Sequence, residues 1–246
     1  MARATRVTPV VDHNALVGAF PFRHLPDPTP ARLLAEMDRI GVASSWTGHV
    51  PSAWYRDAAR GNDELFALLA PHRPRLLPVP VVNPAYPGWE REVARARAEQ
   101  CPGVRAYPAH HGYATSGPAM KDLAAACAEA GLELVLTVRF EDARQRSRLD
   151  VAADLIGADV RHAVRAHDGL RLLVTAADRA IVEEVHWGAT PQESARIRWD
   201  ISWIWGAPDD YLDHLYRTIG ADHFVFGTHF PFRLPESAVA KLELIG

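Results

Sequence analysis

The sequence contains few cysteines and no excess of positive charge. Only two cysteines, Cys101 and Cys127, occur in 246 residues, and they do not form a CxxC pair of the kind that binds structural zinc. So few thiols are typical of a reducing compartment, and we expect a cytoplasmic protein. The net charge of -3 argues against a polybasic surface. We expect no nucleic acid and no membrane as partners, since no apolar run approaches the roughly 18 residues of a membrane span.

Several motifs of common enzyme classes are also absent. The chain contains no Walker A loop, no GxSxG nucleophile elbow and no HExxH helix. The first predicted βα turn reads Gly18-Ala19-Phe20-Pro21, without the glycine pattern that binds a dinucleotide in a doubly wound open sheet. These absences argue against nucleotide-dependent and zinc-protease functions, and against the open sheet as the architecture.

Short apolar runs rich in β-branched residues alternate with helical segments along the whole chain. Pro30 and Pro118 stand at typical first positions of helices, and Gly41 and Gly131 at typical ends. The apolar runs recur about every 25 to 35 residues, at 7–12, 42–47, 76–82, 104–107, 134–139, 170–175, 197–202 and 224–227. Eight strands with a helix in each gap predict an α/β protein with a single (β/α)8 TIM barrel over residues 1–246.

In such a barrel the residues that contact a ligand stand where strands end and the following loops begin. Arginine there suits a carboxylate or an oxyanion because its donors are bidentate, although a salt bridge to a neighbouring acid explains it equally. Histidines carry weight because they are poor helix caps. We expect a small-molecule substrate to be bound by the polar side chains at these ends, namely Asn14, Arg23, His49, His110, His111, Tyr113, Arg139 and Asp178.

Four segments, spread in order over nearly the whole chain, carry a family resemblance. They are residues 10–18 (VVDHNALVG), 81–84 (VVNP), 102–105 (PGVR) and 226–232 (FGTHFPF). These segments resemble the amidohydrolase superfamily, in its amidohydrolase-related (amidohydrolase 2) branch. The resemblance implies a (β/α)8 barrel and the chemistry of metal-dependent hydrolases and decarboxylases.

The metal ligands that this resemblance implies are replaced at every position. Asn14 and Leu16 stand where the branch has the two histidines of Asp-x-His-x-His-x-Gly. Thr137 and Thr175 stand near the histidines of strands five and six, and His229 replaces the aspartate of strand eight. Because amide, aliphatic and hydroxyl groups do not make a zinc site, we predict no metal ligands and no cofactor. The alternative is zinc or manganese in a rebuilt site of His49, His110 or His111, and His229.

Without a metal, hydrolysis relies on general acid-base chemistry. We predict His229 as the catalytic base, because an imidazole pKa of about 6.5 suits proton transfer at neutral pH. Asp200, on the neighbouring strand, is predicted to orient His229; a structural hydrogen bond between the two is the equal alternative. The predicted function is an amidohydrolase-like, lactonase-like hydrolase of a small carboxylate-bearing or cyclic substrate.

Two other functions stay open. A catalytically inactive relative would bind a metabolite or serve as a subunit of an assembly, and a metal-dependent hydrolase or decarboxylase would use relocated ligands. The last predicted helix is shorter than the resemblance implies, ending near Gly246. We expect a partner subunit to cover the exposed side of the barrel, and therefore a homo-oligomer.

Overall fold

The computed structural model describes residues 11–205 and 211–245. All strands within these ranges run parallel to their neighbours. They are β1 (Val11–Val17), β2 (Ser44–His49), β3 (Leu76–Pro78), β4 (Gly103–Ala106), β5 (Glu133–Thr137), β6 (Leu172–Thr175), β7 (Ile197–Asp200) and β8 (Phe224–Val225).

Helices lie in the gaps between these strands, and their ends follow the predicted signals. Thr29 caps the first long helix by accepting from the backbone N–H of Arg32, and Gly41 ends it with a left-handed φ of 78°. The predicted start at Pro118 and end at Gly131 are confirmed as well. The α-helices are α1 (Pro30–Ile40), α2 (Ala58–Leu69), α3 (Glu90–Ala98), α4 (Pro108–His111), α5 (Pro118–Ala130), α6 (Gly157–Arg165), α7 (Arg179–Gly188), α8 (Pro191–Ser194), α9 (Tyr211–Thr218) and α10 (Pro235–Leu244).

The strands form two sheets, β1 to β3 and β4 to β8, which are joined at both seams. A parallel bridge between Ala15 and Phe230 connects β1 to the segment after β8. A second bridge, between Val81 and Arg105, connects the segment after β3 to β4. The predicted single (β/α)8 barrel is therefore confirmed. No helix in the described part of the chain is both long and apolar enough to span a membrane.

The first strand lies further along the chain than the sequence predicts. Residues 7–10 of the predicted strand 7–12 lie outside the described residues. The described strand β1 begins at Val11 and continues to Val17. Asp12 and Asn14 consequently lie within the strand rather than after it. Both side chains are buried, and polar residues at inward positions of a strand are indistinguishable from loop residues by composition alone.

Alternate residues of the strands fill the interior of the barrel in layers. At the bottom, Arg198 on β7 donates to Glu133 on β5, with Nε 3.1 Å from Oε1. The next layer is apolar and fully buried, with Val79, Val135 and Leu173 in one cluster. The intervening residues of each strand pack outward against the helices in the main hydrophobic core. The layers above, towards the carboxyl ends of the strands, contain polar side chains.

Candidate functional site

A buried group of polar side chains occupies the barrel above the apolar layer. Asn14 is its hub: Nδ2 donates to Asp200 Oδ2 at 2.7 Å and to His229 Nδ1 at 3.1 Å. Its Oδ1 accepts from both Nη1 and Nη2 of Arg105, each at 3.2 Å. Both N–H donors and the carbonyl acceptor of the Asn14 side chain are therefore hydrogen-bonded to other residues of the protein. We call this group the central cluster: Asp12, Asn14, Arg105, Thr137, Asp200 and His229, all buried.

His229, the predicted catalytic base, is fully buried and has partners for both ring nitrogens. Nε2–H donates to the backbone carbonyl of Phe140 at 2.9 Å, which leaves Nδ1 to accept from Asn14. Burial lowers the pKa of His229 to about 3, so the ring is neutral at pH 7. Asp200 does not contact the ring directly, because the Asn14 amide lies between them. The structure brings the two residues into one network but gives His229 no access to solvent.

The two carboxylates of the central cluster are enclosed as well. Asp12 accepts from Thr228 Oγ1 at 2.6 Å and from the backbone N–H groups of Thr228 and Asn14, each at 3.0 Å. Burial nevertheless raises the pKa of Asp12 to about 6. Asp200 accepts from Ser202 Oγ at 2.7 Å and from the backbone N–H of Ala176 at 2.8 Å. Burial raises the pKa of Asp200 as well. The hydrogen bonds of both carboxylates come from donors within the protein.

Arg105, which sequence reasoning did not select, holds the positive charge of the central cluster. It is fully buried, and its Nη1 also donates to Thr137 Oγ1 at 2.9 Å. No carboxylate pairs with Arg105 among the described residues, and its Nε lacks a hydrogen-bond partner there. The sequence signal for Arg105 was its position among apolar residues in a short predicted strand. Because both faces of a strand in a closed barrel are covered, such an arginine is expected to be buried.

Aromatic rings close the barrel above the central cluster. Phe140 is stacked between Trp54 and Tyr107, with both ring centroids 5.2 Å away and interplanar angles of 29° and 25°. Phe20 and Phe232 pack against the edges of this stack. We call the Trp54–Phe140–Tyr107 stack the aromatic roof. The His229 ring is covered by Phe232 and Trp203, with ring centroids 5.3 Å and 6.2 Å away, and it has no exposed surface.

The predicted histidine ligands lie around the aromatic roof and do not converge. His49 Nδ1 shares a hydrogen bond with Ser52 Oγ at 2.9 Å, and His110 Nε2 lies 3.6 Å from Asp150 Oδ1. Neither ring nitrogen of His111 has a hydrogen-bond partner in the described part of the chain, and the same holds for the Tyr113 hydroxyl. Burial lowers the pKa of His110 and of His111 to about 4. These side chains are neutral and packed against the barrel rather than assembled around one point.

A cleft of about 250 Å³, with Phe140 of the aromatic roof in its wall, opens at the carboxyl ends of β5, β7 and β8. Arg233 lies in it with its guanidinium carbon 4.0 Å from the centroid of the Trp203 ring, and no carboxylate pairs with it within 11–205 and 211–245. Burial lowers the pKa of Arg233, which shows that the cation is partly desolvated. We call this site the mouth cleft, lined by Arg23, Phe140, Glu141, Asp142, Arg144, Gln145, Trp203, Trp205, Phe232 and Arg233.

The other predicted arginines have acidic partners. Arg23 Nε lies 2.5 Å from Glu141 Oε1 at the edge of the mouth cleft. Arg139 lies on the Trp203 ring and pairs twice, with Asp178 at 2.9 Å and with Asp154 at 3.0 Å. Asp178 also accepts from the backbone N–H of Ile181 and so caps α7. Both arginines therefore have the salt bridges that the sequence left open, and Arg233, which was not selected, does not.

Comparisons with known proteins rest on structure. No family model matches the sequence, and no curated protein does. A 2,6-dihydroxybenzoate decarboxylase complexed with 2,6-dihydroxybenzoate is 13% identical, with a TM-score of 0.74 over 96% of this chain and 93% of its own. A Staphylococcus aureus protein solved as a candidate amidohydrolase is 10% identical, with a TM-score of 0.73 over 97% and 93%. The chain has the amidohydrolase fold.

A third structure with the amidohydrolase fold bears on the cofactor. The dihydroxybenzoic acid decarboxylase of Polaromonas sp. JS666, 12% identical with a TM-score of 0.71 over 96% of this chain and 91% of its own, holds manganese and the inhibitor 2-nitroresorcinol. The prediction of no cofactor is therefore wrong, because similar solved structures hold manganese. The prediction relied on the replacement of the ligand residues that the resemblance implies. Replacement of those residues does not exclude a metal bound by other groups.

The described side chains do not fit a manganese ion in the central cluster. Among residues 11–205 and 211–245, no three His, Cys, Asp or Glu side chains are close enough to hold a metal. A guanidinium 3.2 Å from Asn14 Oδ1 would repel a divalent cation there. The packing is also tight, since a Cβ atom on Gly227 would lie 2.7 Å from Asp200 Oδ2. The metal implied by the amidohydrolase fold and the residues of this cluster therefore disagree.

Proposed function

We propose that this chain binds a small, ring-bearing carboxylate in the mouth cleft. The observation that carries the proposal is Arg233, a partly buried guanidinium on the face of Trp203 with no carboxylate partner among the described residues. Burial disfavours the charge of such a cation, and a bound carboxylate would offset this cost with two parallel hydrogen bonds. The mouth cleft thus has a defined position for the negative charge of a ligand.

The aromatic walls of the mouth cleft suit the ring of such a ligand. Trp203, Trp205 and Phe232 line the same cleft as Arg233, and planar rings pack well against them. The Trp203 indole N–H is buried and lacks a hydrogen-bond partner in the part of the chain that the structure describes. The similar 2,6-dihydroxybenzoate decarboxylase, which was solved with a ring-bearing carboxylate, supports this choice of ligand.

Hydrolysis of a bound ligand is a second candidate function. His229 has a φ of 56°, a left-handed conformation that is uncommon outside glycine and that clusters at functional sites. The Asn14 amide links its ring to Asp200, the predicted orienting residue. Proton transfer to Nδ1 would require the Asn14 contact to open and the aromatic roof to admit water. A protein that binds the ligand without converting it requires neither change.

Binding is tested by titrating the protein with benzoate and following tryptophan fluorescence, since Trp203 and Trp205 line the cleft. Arg233→Gln is expected to weaken binding roughly 10- to 100-fold, because a charge-assisted hydrogen-bond pair is lost. The matched control is Arg148→Gln, which changes an exposed arginine outside the cleft and should leave the affinity unchanged. Equal affinity of the wild type and the Arg233 variant would refute the proposal.

Turnover is tested separately by NMR of the ligand after long incubation, with and without added manganese. Loss of the carboxylate carbon would indicate decarboxylation, and opening of a lactone would indicate hydrolysis. His229→Asn should abolish hydrolysis if His229 is the base. An unchanged spectrum for every ligand that binds would favour the binding function without turnover.

A further inference from the structure

We infer that the mouth cleft selects a monoanionic carboxylate over a dianionic one; this inference rests on the proposed function. The charged side chains that line the cleft are three arginines and two acids. Two of the arginines have acidic partners within the cleft, and Arg233 alone does not. The cleft therefore has one uncompensated positive charge among its described residues, which one carboxylate neutralises.

The two internal ion pairs are well formed. Arg23 Nε lies 2.5 Å from Glu141 Oε1, and the side chain of Glu141 is only 4% exposed. Arg144 holds Asp142 through two contacts, Nε to Oδ1 at 2.9 Å and Nη2 to Oδ2 at 2.8 Å. Asp142 also accepts from the backbone N–H of Arg144, at 2.9 Å. Each pair neutralises the charge of its arginine, so a second carboxylate on the ligand would meet an ion pair rather than an unpaired cation.

A second carboxylate on the ligand would meet repulsion instead. Arg233 is attracted by the negative charges of Asp200 and of Asp142 within the cleft and repelled by the positive charge of Arg139, which is itself paired with Asp154 and Asp178. Once the first carboxylate has neutralised Arg233, the remaining field near Glu141 and Asp142 opposes further negative charge. The volume of about 250 Å³ also lies at the lower end for ligand pockets, so a second group cannot be placed far from these acids.

The test compares benzoate with benzene-1,3-dicarboxylate, which share the ring and differ by one carboxylate. Benzoate should bind the wild type about tenfold more tightly, because the second charge has no partner and faces acids. The decisive variant is Asp142→Asn, which frees Arg144 without removing a buried group. This variant should bind the dicarboxylate more tightly, and the ratio of benzoate affinity to dicarboxylate affinity should therefore fall several-fold. Adding Arg144→Gln to this variant should cancel the gain.

The outcomes separate the inference from the proposed function. If both acids bind the wild type equally and both respond to Arg233→Gln, the charge selectivity is wrong and the carboxylate site stands. If the dicarboxylate binds better, or if Asp142→Asn leaves the ratio unchanged, the inference also fails. If neither acid binds, the proposed function itself is refuted together with the inference. Benzamide, which is neutral, should bind more weakly than benzoate in every variant that retains Arg233.

Discussion

The central cluster and the mouth cleft meet at His229, whose ring contacts the cleft residues Trp203 and Phe232, and the two sites differ in how their polar groups are partnered. In the central cluster, Asn14 and His229 have partners for every side-chain nitrogen, and Asp12 is enclosed by donors. In the mouth cleft, the Arg233 guanidinium and the Trp203 N–H lack partners among the described residues. Hydrogen-bonded buried groups stabilise a fold, whereas a partly exposed cation without a carboxylate partner can bind an anion.

The largest expected effect of a single substitution comes from removing the hub of the central cluster. Asn14→Leu leaves Arg105, Asp200 and His229 without their shared partner and should lower the free energy of unfolding by about 3–5 kcal/mol. Urea denaturation monitored by circular dichroism measures this loss. Arg148→Gln, an exposed change, is the control and should cost less than about 0.5 kcal/mol. A loss below about 1 kcal/mol for Asn14→Leu would mean that the cluster is not a structural element.

A second prediction concerns the loss of folding stability at acidic pH. Burial holds the pKa of His229 at about 3 and those of His13, His110 and His111 at about 4, against 6.5 for an ordinary histidine. Below pH 6.5 the unfolded chain therefore binds protons that the folded chain does not. The stability is complete above pH 6.5 and falls with decreasing pH, by about 1.4 kcal/mol per pH unit for each histidine.

Asp12 opposes this trend without reversing it. Its pKa is raised from 3.8 to about 6, so between these values the folded chain binds the extra proton and gains stability as the pH falls. Burial also raises the pKa values of Asp150 and Asp200 and lowers those of His49 and His186. The histidines outnumber the acids, and we expect a net loss of stability between pH 7 and pH 5. Urea titrations at pH 7, 6 and 5 check the sign. Constant or increasing stability over this range would mean that these histidines are not held neutral by the fold.

The smallest effects distinguish two arginines that both lie on Trp203. Arg139→Gln breaks ion pairs with Asp154 and Asp178 and should cost roughly 1–2 kcal/mol of stability, with a less than threefold change in benzoate affinity. Arg233→Gln breaks no ion pair among the described residues and should change stability by less than about 1 kcal/mol while weakening binding. The reverse pattern would exchange the roles of the two residues. Thermal melts and fluorescence titrations of both variants provide the comparison.

The fold was largely readable from the sequence, and the site was not. Helix ends at Pro30, Gly41, Pro118 and Gly131 are local signals, and the structure confirms them. The placement of Asn14 after the strand failed because composition does not distinguish a polar residue in the barrel interior from one in a loop. The choice of Arg139 over Arg233 had no local signal, since whether an arginine is paired depends on acids elsewhere in the chain.

By itself, the sequence determined the alternation of strands and helices, and with it the barrel, because strand and helix periods and helix caps depend on neighbouring residues. It also determined that Asn14 and His229 replace the ligands implied by the amidohydrolase resemblance. Only the tertiary structure decided that these residues are bonded to each other and enclosed under the aromatic roof. Hydrogen bonding, desolvation and ion pairing depend on three-dimensional distance, and in the folded chain residues 14, 105, 200 and 229 lie together while Arg233 has no carboxylate partner among the described residues.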